Sequence, residues 1–114
     1  MSTGGRPETP RCPPAIPERA IQAACIEYLR YRGYYVQRLN SGGIRDARHN
    51  LVTLAAAGTP DVLAIKDGWA LFVEVKRPGN KPTARQEAMM ETLRSYGARC
   101  LVATSVEDLQ AAGI

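Results

Sequence analysis

Cysteine is scarce in this sequence and long apolar runs are absent, and each shortage excludes a class of protein. The three cysteines, Cys12, Cys25 and Cys100, are odd in number and form no CxxC pair, which argues against a zinc site or a disulfide framework. No apolar run approaches the roughly 20 residues of a bilayer-spanning helix, and the N-terminus lacks the apolar core of an export signal. We therefore expect no membrane partner and a reducing compartment, the cytoplasm.

The length and the charge of the chain set its scale. Its 114 residues suffice for one domain with a hydrophobic core. Residues 1–15 are rich in proline, glycine and polar residues, so we expect a flexible arm there and a single folded domain at 16–114. The formal charge of +4 fits a polyanionic partner without requiring one.

The most informative stretch is residues 58–76, GTPDVLAIKDGWALFVEVK. Two apolar runs flank an Asp-Gly pair at 67–68, which is a strong signal for a two-residue hairpin turn. In that register Asp61 lies directly opposite Glu74, with Cβ atoms about 5 Å apart. Because side chains alternate along a strand, Lys76 lies on the same face as Glu74.

Two facing carboxylates repel each other, and like charges directly opposite one another destabilise a sheet. A divalent cation would remove this conflict, and carboxylates with open water positions suit Mg²⁺ or Mn²⁺. A lysine on the same face could orient a water molecule or stabilise negative charge. The pattern therefore indicates metal-assisted attack on a phosphate. The alternative is an ordinary hairpin with a solvated outer face, in which Asp61 only opens a strand.

Upstream of the hairpin the sequence predicts a helix and then a strand. Pro17 suits a first helical turn and Gly33 can end the helix. The helix has one apolar face, formed by Ile21, Ala24, Cys25, Tyr28 and Leu29. Residues 34–39 are aromatic and β-branched, which favours a strand. We expect a loop at 40–43, a polar stretch at 44–50 and then a short strand or hairpin arm at 51–54.

Downstream the sequence predicts a second helix, a strand and a third helix. Thr83 and Gln86 have the spacing of a capping box at a helix start, but Gln86 also shares a face with apolar residues and could point toward the sheet. Residues 99–103 form a predicted buried strand, parallel to the hairpin strand because the connection is long enough for a crossover. A Ser-x-x-Asp capping pattern precedes a final helix at 106–111.

The segment at 58–76 resembles the PD-(D/E)XK nuclease signature, with Asp61 in the first half and the ExK sequence at 74–76 in the second. The fuller forms, GTPD at 58–61 and EVKRP at 74–78, are similar to the VRR-NUC branch of that superfamily. The resemblance covers about residues 18–103. It implies an α/β fold, a mixed central β-sheet flanked by helices, with a restriction-endonuclease-like core. The element order read from the sequence agrees with that fold.

The resemblance also implies roles for residues outside the hairpin. Such nucleases carry a glutamate on the first helix that completes the acidic cluster, and Glu18, followed by Gln22, matches this position. From the residues alone, Glu18 is equally well read as an ordinary first-turn acid. A glutamine on the second helix belongs to the site region of this family, and Gln86 matches it.

The resemblance implies a nuclease that depends on Mg²⁺ or Mn²⁺. Asp61, Glu74 and the backbone carbonyl of Val75 would ligate the metal, with Glu18 joining directly or through water. Lys76 would position or help activate the attacking water. The expected products carry 5′-phosphate and 3′-hydroxyl ends.

Several basic residues could contact phosphates, which supply much of the affinity for nucleic acid. The candidates are Arg38, Arg45, Arg48, Arg77, Lys81 and Arg85. A solvated loop is an equally good reading of the arginines at 45 and 48. His49, the single histidine, is expected in an exposed loop rather than as a general base.

No separate DNA-reading domain or groove-reading helix motif is visible, so we expect recognition of DNA by shape. Stand-alone members of the family resemble junction-resolving enzymes and act as symmetric homodimers. This implies a homodimer that cuts branched DNA such as a Holliday junction. Two alternatives stay open: a module that binds nucleic acid without cutting it, and a protein-interaction domain.

Overall fold

The computed structural model describes residues 16–39 and 56–114, together with the backbone of 43–45 and 51–53. The predicted arm at 1–15, Cys12, Arg48 and His49 lie outside these residues. The elements follow in chain order: α1 Glu18–Tyr31, β1 Tyr35–Arg38, β2 Gly43–Arg45, β3 Leu51–Thr53, β4 Val62–Lys66, β5 Trp69–Val75, α2 Ala84–Ser95, β6 Arg99–Ala103 and α3 Val106–Ala111.

The central sheet has four strands in the order β1-β4-β5-β6. β4 pairs antiparallel with both β1 and β5, whereas β5 pairs parallel with β6. The hairpin has the predicted register, from Val62 opposite Val73 to Lys66 opposite Trp69. Its turn residue at position 67 has φ 53° and the glycine at 68 has φ 81°, as a two-residue hairpin turn of this kind requires. The prediction of a mixed sheet flanked by helices is confirmed.

A second, two-stranded sheet differs from the sequence prediction. β2 and β3 pair antiparallel, with Ile44 opposite Val52. The predicted loop at 40–43 is therefore wrong for Gly43, and the polar stretch at 44–50 begins within a strand. Three residues that include a glycine and an arginine carry little strand signal of their own, and strand formation depends on the pairing partner. The short strand predicted at 51–54 is present as β3.

The core lies on the face of the sheet that α1 and α3 cover. Its fully or nearly fully buried members are Ile21, Cys25, Ile26, Leu29, Val36, Val62, Ala64, Leu71, Val73, Val75, Ala103, Leu109 and Ile114. Because side chains alternate, Asp61 and Glu74 belong to the opposite face. There, Met90 of α2 and Cys100 of β6 are buried together, with the Cys100 Sγ 3.6 Å from the Met90 carbonyl oxygen.

The two described cysteines, Cys25 and Cys100, are free and buried. Burial raises the pKa of the Cys25 thiol to about 11, so this thiol is protonated and unreactive at neutral pH. Among the helices that the structure describes, none has the length and apolar character needed to cross a membrane.

The cap of α3 uses different atoms from those predicted. Ser105 is the N-cap residue, but its side chain makes no capping hydrogen bond. Instead, Asp108 Oδ2 accepts hydrogen bonds from the backbone N–H and the hydroxyl of Thr104, both at 2.7 Å. The acidic residue therefore reaches one position further back than in a capping box, while the helix has the predicted bounds.

Candidate functional site

Asp61 and Glu74 lie together where β4 begins and β5 ends. The antiparallel ladder stops at Val62 opposite Val73, one position short of this pair. Asp61 Oδ2 accepts a hydrogen bond of 2.8 Å from the backbone N–H of Val75. This bond holds the Asp61 carboxylate against the end of β5, on the side where the Glu74 side chain lies.

Glu74 is a buried carboxylate with one engaged oxygen and one unengaged oxygen. The residue is only 2% exposed. Its Oε2 accepts a hydrogen bond of 3.1 Å from Gln86 Nε2 and lies 3.6 Å from Lys76 Nζ. Its Oε1 has no hydrogen-bond partner among the described residues. A buried oxygen without a partner costs about 1–3 kcal/mol, and a bound cation would satisfy it, so Oε1 fits a metal ligand.

The surroundings of Glu74 favour its protonated form. Burial, and after it the neighbouring charge of Asp61, raise the pKa of this carboxyl from 4.5 to about 7, against the opposing effect of the charge of Lys76. Two carboxylates sharing a site resist joint ionisation. A cation between them would reverse this effect, because it favours both ionised forms.

Gln86 links α2 to the buried carboxylate. The Thr83 Oγ1 accepts a hydrogen bond of 3.2 Å from the Gln86 backbone N–H, and Gln86 Oε1 accepts one of 2.9 Å from the Thr83 backbone N–H. The capping box is therefore complete. With its oxygen bound to Thr83, the Gln86 side chain points its NH₂ group at Glu74. Both sequence readings of Gln86, as a cap and as a group facing the sheet, hold at once.

Gly58 positions the loop that leads into Asp61, a role that sequence reasoning missed. Its φ is +85°, and a Cβ at this position would lie 2.8 Å from the carbonyl oxygen of Arg85. The loop therefore packs against the first turn of α2, directly before Gln86. The available signal was the glycine of the GTPD motif, because a residue without a Cβ is needed where two backbones approach this closely.

Glu18 is not brought into the carboxylate pair. It is exposed in the first turn of α1, and no three acidic, histidine or cysteine side chains among the described residues lie close enough to hold a metal. The first turns of α1 do lie at the correct end of the sheet, because Ile21 lines a cleft with Arg77 and Thr104, which follow β5 and β6. The role of Glu18 as a ligand remains a prediction.

The predicted phosphate contacts are dispersed around the site. Arg38 ends β1 and lines a groove with Arg19 and Arg30 of α1. The other described candidates are exposed, Arg77 and Lys81 in the loop after β5 and Arg85 in the first turn of α2. For Arg45 only the backbone, within β2, is described. Phosphate binding by these residues remains a prediction.

Comparisons with known proteins identify the fold. By sequence, no protein-family model matches the chain and no curated protein matches it. A solved structure described as a VRR_NUC domain is similar over 82% of this chain and 90% of its own, with a TM-score of 0.62 and 25% identity. Another, described as a VRR_NUC domain protein, has a TM-score of 0.61 and 18% identity over 86% of this chain and 85% of its own.

Both structural neighbours therefore carry the domain that the sequence motifs resemble. The similarity to each of them covers more than four fifths of this chain. The agreement between motif and architecture supports a nuclease-like domain with a restriction-endonuclease-like fold. Sequence motif and fold together support a VRR-NUC domain in this chain.

Proposed function

We propose that this chain is a metal-dependent DNA endonuclease that hydrolyses phosphodiester bonds. The observation that carries the proposal is the buried Glu74, whose Oε1 lacks a partner among the described residues while Asp61 lies beside it. A protein that only binds nucleic acid gains nothing from burying one carboxylate against another near a polyanion. The two VRR_NUC neighbours support the same activity class and make DNA the expected substrate.

Asp61, Glu74 and the backbone carbonyl of Val75 would hold Mg²⁺ or Mn²⁺. When bound, such an ion polarises the phosphate and offsets the negative charge that develops on it. Asp61 is fixed by the Val75 N–H, and Glu74 is fixed by Gln86. Both carboxylates are therefore preorganised, which is what transition-state stabilisation requires.

Lys76 would position the attacking water. Its ammonium group is largely buried and lies 3.6 Å from Glu74 Oε2, so it faces the same point as the carboxylates. The water oxygen bonds to phosphorus as one of its protons leaves to solvent, the bond from phosphorus to the 3′ oxygen breaks, and that oxygen takes up a proton from solvent. The products then carry a 5′-phosphate and a 3′-hydroxyl. Glu18 would join the ligand set directly or through water when substrate is bound.

A branched DNA substrate and a homodimer complete the proposal. A two-fold dimer would place two sites on two strands of a junction. The free, buried Cys25 and Cys100 fit a reducing compartment such as the cytoplasm.

The test is cleavage of a labelled four-way junction and its matched linear duplex in Mg²⁺ or Mn²⁺. We expect the wild-type protein to cut the junction and to elute as a dimer in light scattering. Asp61→Ala, Glu74→Ala and Lys76→Ala should each lose cleavage, by 10²-fold or more, while DNA binding is kept. Glu107→Ala, which removes an exposed carboxylate on α3, is the control and should cut normally.

Normal cleavage by either carboxylate variant would show that the site is assigned wrongly. Equal cutting of the junction and the linear duplex by a monomeric protein would support the nuclease activity but reject both junction selectivity and the homodimer.

A module that binds nucleic acid without cutting it is the second candidate. The exposed position of Glu18, outside the carboxylate pair, favours it, because only two acidic ligands are assembled among the described residues. Salt-dependent DNA binding without cleavage in either metal would select this candidate.

A further inference from the structure

A second groove lies at the opposite end of the sheet from the carboxylates, beside the hairpin turn. It has a volume of about 680 Å³ and is walled by residues of β4, β5 and β6 and of the α2–β6 loop. Trp69, the first residue of β5, lines it and is 73% exposed. Tryptophan is usually well buried, so core packing does not account for this side chain.

Three cationic side chains line the same groove: Lys66, Arg94 and Arg99. Each donates a hydrogen bond to a backbone carbonyl, from Lys66 to Arg32 at 2.8 Å, from Arg94 to Cys100 at 3.2 Å and from Arg99 to Ala112 at 2.5 Å. These bonds fix the side chains in advance, so less rotamer entropy is lost when an anion binds.

The charge of the groove is unbalanced. Asp67 is the one acidic side chain among its described lining residues. Arg94 has a weak ion pair with the exposed Glu91 at 3.8 Å, whereas Lys66 and Arg99 have no carboxylate partner among the described residues. Lys66 also lies 5.4 Å from the centre of the Tyr34 ring. The groove therefore offers an exposed indole and several positive charges to one ligand.

We propose that this groove binds single-stranded nucleic acid, with a base stacked on Trp69 and phosphates facing Lys66, Arg94 and Arg99. Aromatic side chains beside positive charge are the recurring arrangement for single strands. An acidic peptide could also pair with the cations, but it need not carry a flat ring to stack on the indole, whereas every nucleotide carries a base. Trp69 lies about 17 Å along β5 from Glu74, at about 3.4 Å per residue, so the groove is separate from the carboxylate pair. The proposal rests on the proposed function only in taking nucleic acid as the partner.

The chain has a single tryptophan, so tryptophan fluorescence reports on this groove alone. The experiment titrates an oligothymidylate into the Glu74→Ala protein in the presence of a chelator. We expect saturable quenching of the fluorescence and an affinity that falls with salt. In fluorescence anisotropy with a labelled oligonucleotide, Trp69→Ala should weaken binding about 10-fold or more and Trp69→Phe less. Arg94→Gln should reduce the salt slope by about one.

Tyr31→Ala is the matched control, since Tyr31 is 83% exposed on α1 and does not line this groove. Absence of quenching at oligonucleotide concentrations that saturate the anisotropy would overturn the proposal. So would a Trp69→Ala affinity equal to that of Tyr31→Ala, or thymidine monophosphate binding as tightly as the oligonucleotide.

The assay is independent of cleavage, so the two proposals fail separately. If the protein binds the oligonucleotide through Trp69 but never cuts DNA, the proposed groove stands and the proposed nuclease activity is rejected. If it cuts DNA but its Trp69 variants bind normally, the reverse holds.

Discussion

Glu74 couples the protonation of one side chain to the stability of the whole protein. Its surroundings disfavour the ionised carboxylate. The side chain is buried, Asp61 is adjacent, and one oxygen has no partner among the described residues. The native state therefore binds a proton at Glu74 more tightly than the unfolded chain does. By linkage, the free energy of unfolding must fall as the proton is lost.

In metal-free protein, the contribution of protonated Glu74 is complete below pH 4.5 and is lost as the pH rises through about 7. We expect Glu74→Gln to match the wild type near pH 4.5 and to exceed its free energy of unfolding by up to about 3 kcal/mol near pH 8. Urea denaturation with a chelator at both pH values measures this difference. Adding Mg²⁺ at pH 8 should stabilise the wild type more than the Gln variant. Parallel pH curves for the two proteins would contradict the assigned surroundings.

At the scale of elements, the first turn of α2 holds the site together. Thr83 and Gln86 close its capping box, Gln86 reaches Glu74, and the loop before Asp61 packs on the same turn at Gly58. Movement of this turn would displace the supports of both carboxylates at once. The strand ends alone do not fix the site.

Gly58→Ala tests this arrangement. The new methyl group would lie 2.8 Å from the Arg85 carbonyl oxygen, so the loop or the helix must shift. We expect a loss of about 2 kcal/mol or more in the free energy of unfolding. The cleavage rate should fall by a larger fraction of its wild-type value than the free energy of unfolding does. Gly79→Ala is the matched control, because Gly79 has a similar φ of +90° with nothing within 4 Å. It should show only the cost of placing an L-residue in the left-handed conformation, about 1–2 kcal/mol. Equal effects of the two substitutions would mean that the contact with Arg85 is unimportant.

These elements also show how far the sequence predicts the structure. The Asp-Gly turn and the alternation of β4 and β5 were enough to predict the register and the meeting of Asp61 with Glu74, because hairpin geometry is local. The packing of Gly58 on Arg85 and the pairing of β2 with β3 were not predicted, because both join segments whose approach is set by the whole fold. Gln86 lies between these cases, since its cap is readable locally and its bond to Glu74 is not.

At the scale of the molecule, a basic groove lies between α1 and β1. The groove has a volume of about 760 Å³ and is lined by Arg19, Arg30 and Arg38, with Glu27 as its one described acidic side chain. Arg38 ends the strand next to β4, so the groove opens at the same end of the sheet as Asp61. A DNA backbone that reaches the carboxylates could extend along it.

Arg30→Ala should therefore weaken DNA binding and reduce the slope of log affinity against log salt by about one, since one phosphate contact is lost. Arg32→Ala is the charge-matched control, because Arg32 is exposed just beyond α1 but does not line the groove. Binding isotherms at several salt concentrations measure both slopes. The cleavage rate at saturating DNA should stay unchanged. Identical slopes for the two variants would remove this groove from the DNA path.

The turn at 67–68 also determines which sequence changes in the hairpin preserve the site. Its two residues set the pairing of Lys66 with Trp69 at one end of the hairpin and, through the same ladder, the meeting of carboxylates at the other. A single inserted codon in this turn that slipped the register by one residue would send Asp61 and Glu74 to opposite faces of the sheet. Substitutions that are compatible with the turn geometry therefore leave the carboxylate pair intact. Insertions and deletions here that shift the register would separate the two carboxylates without altering either of them.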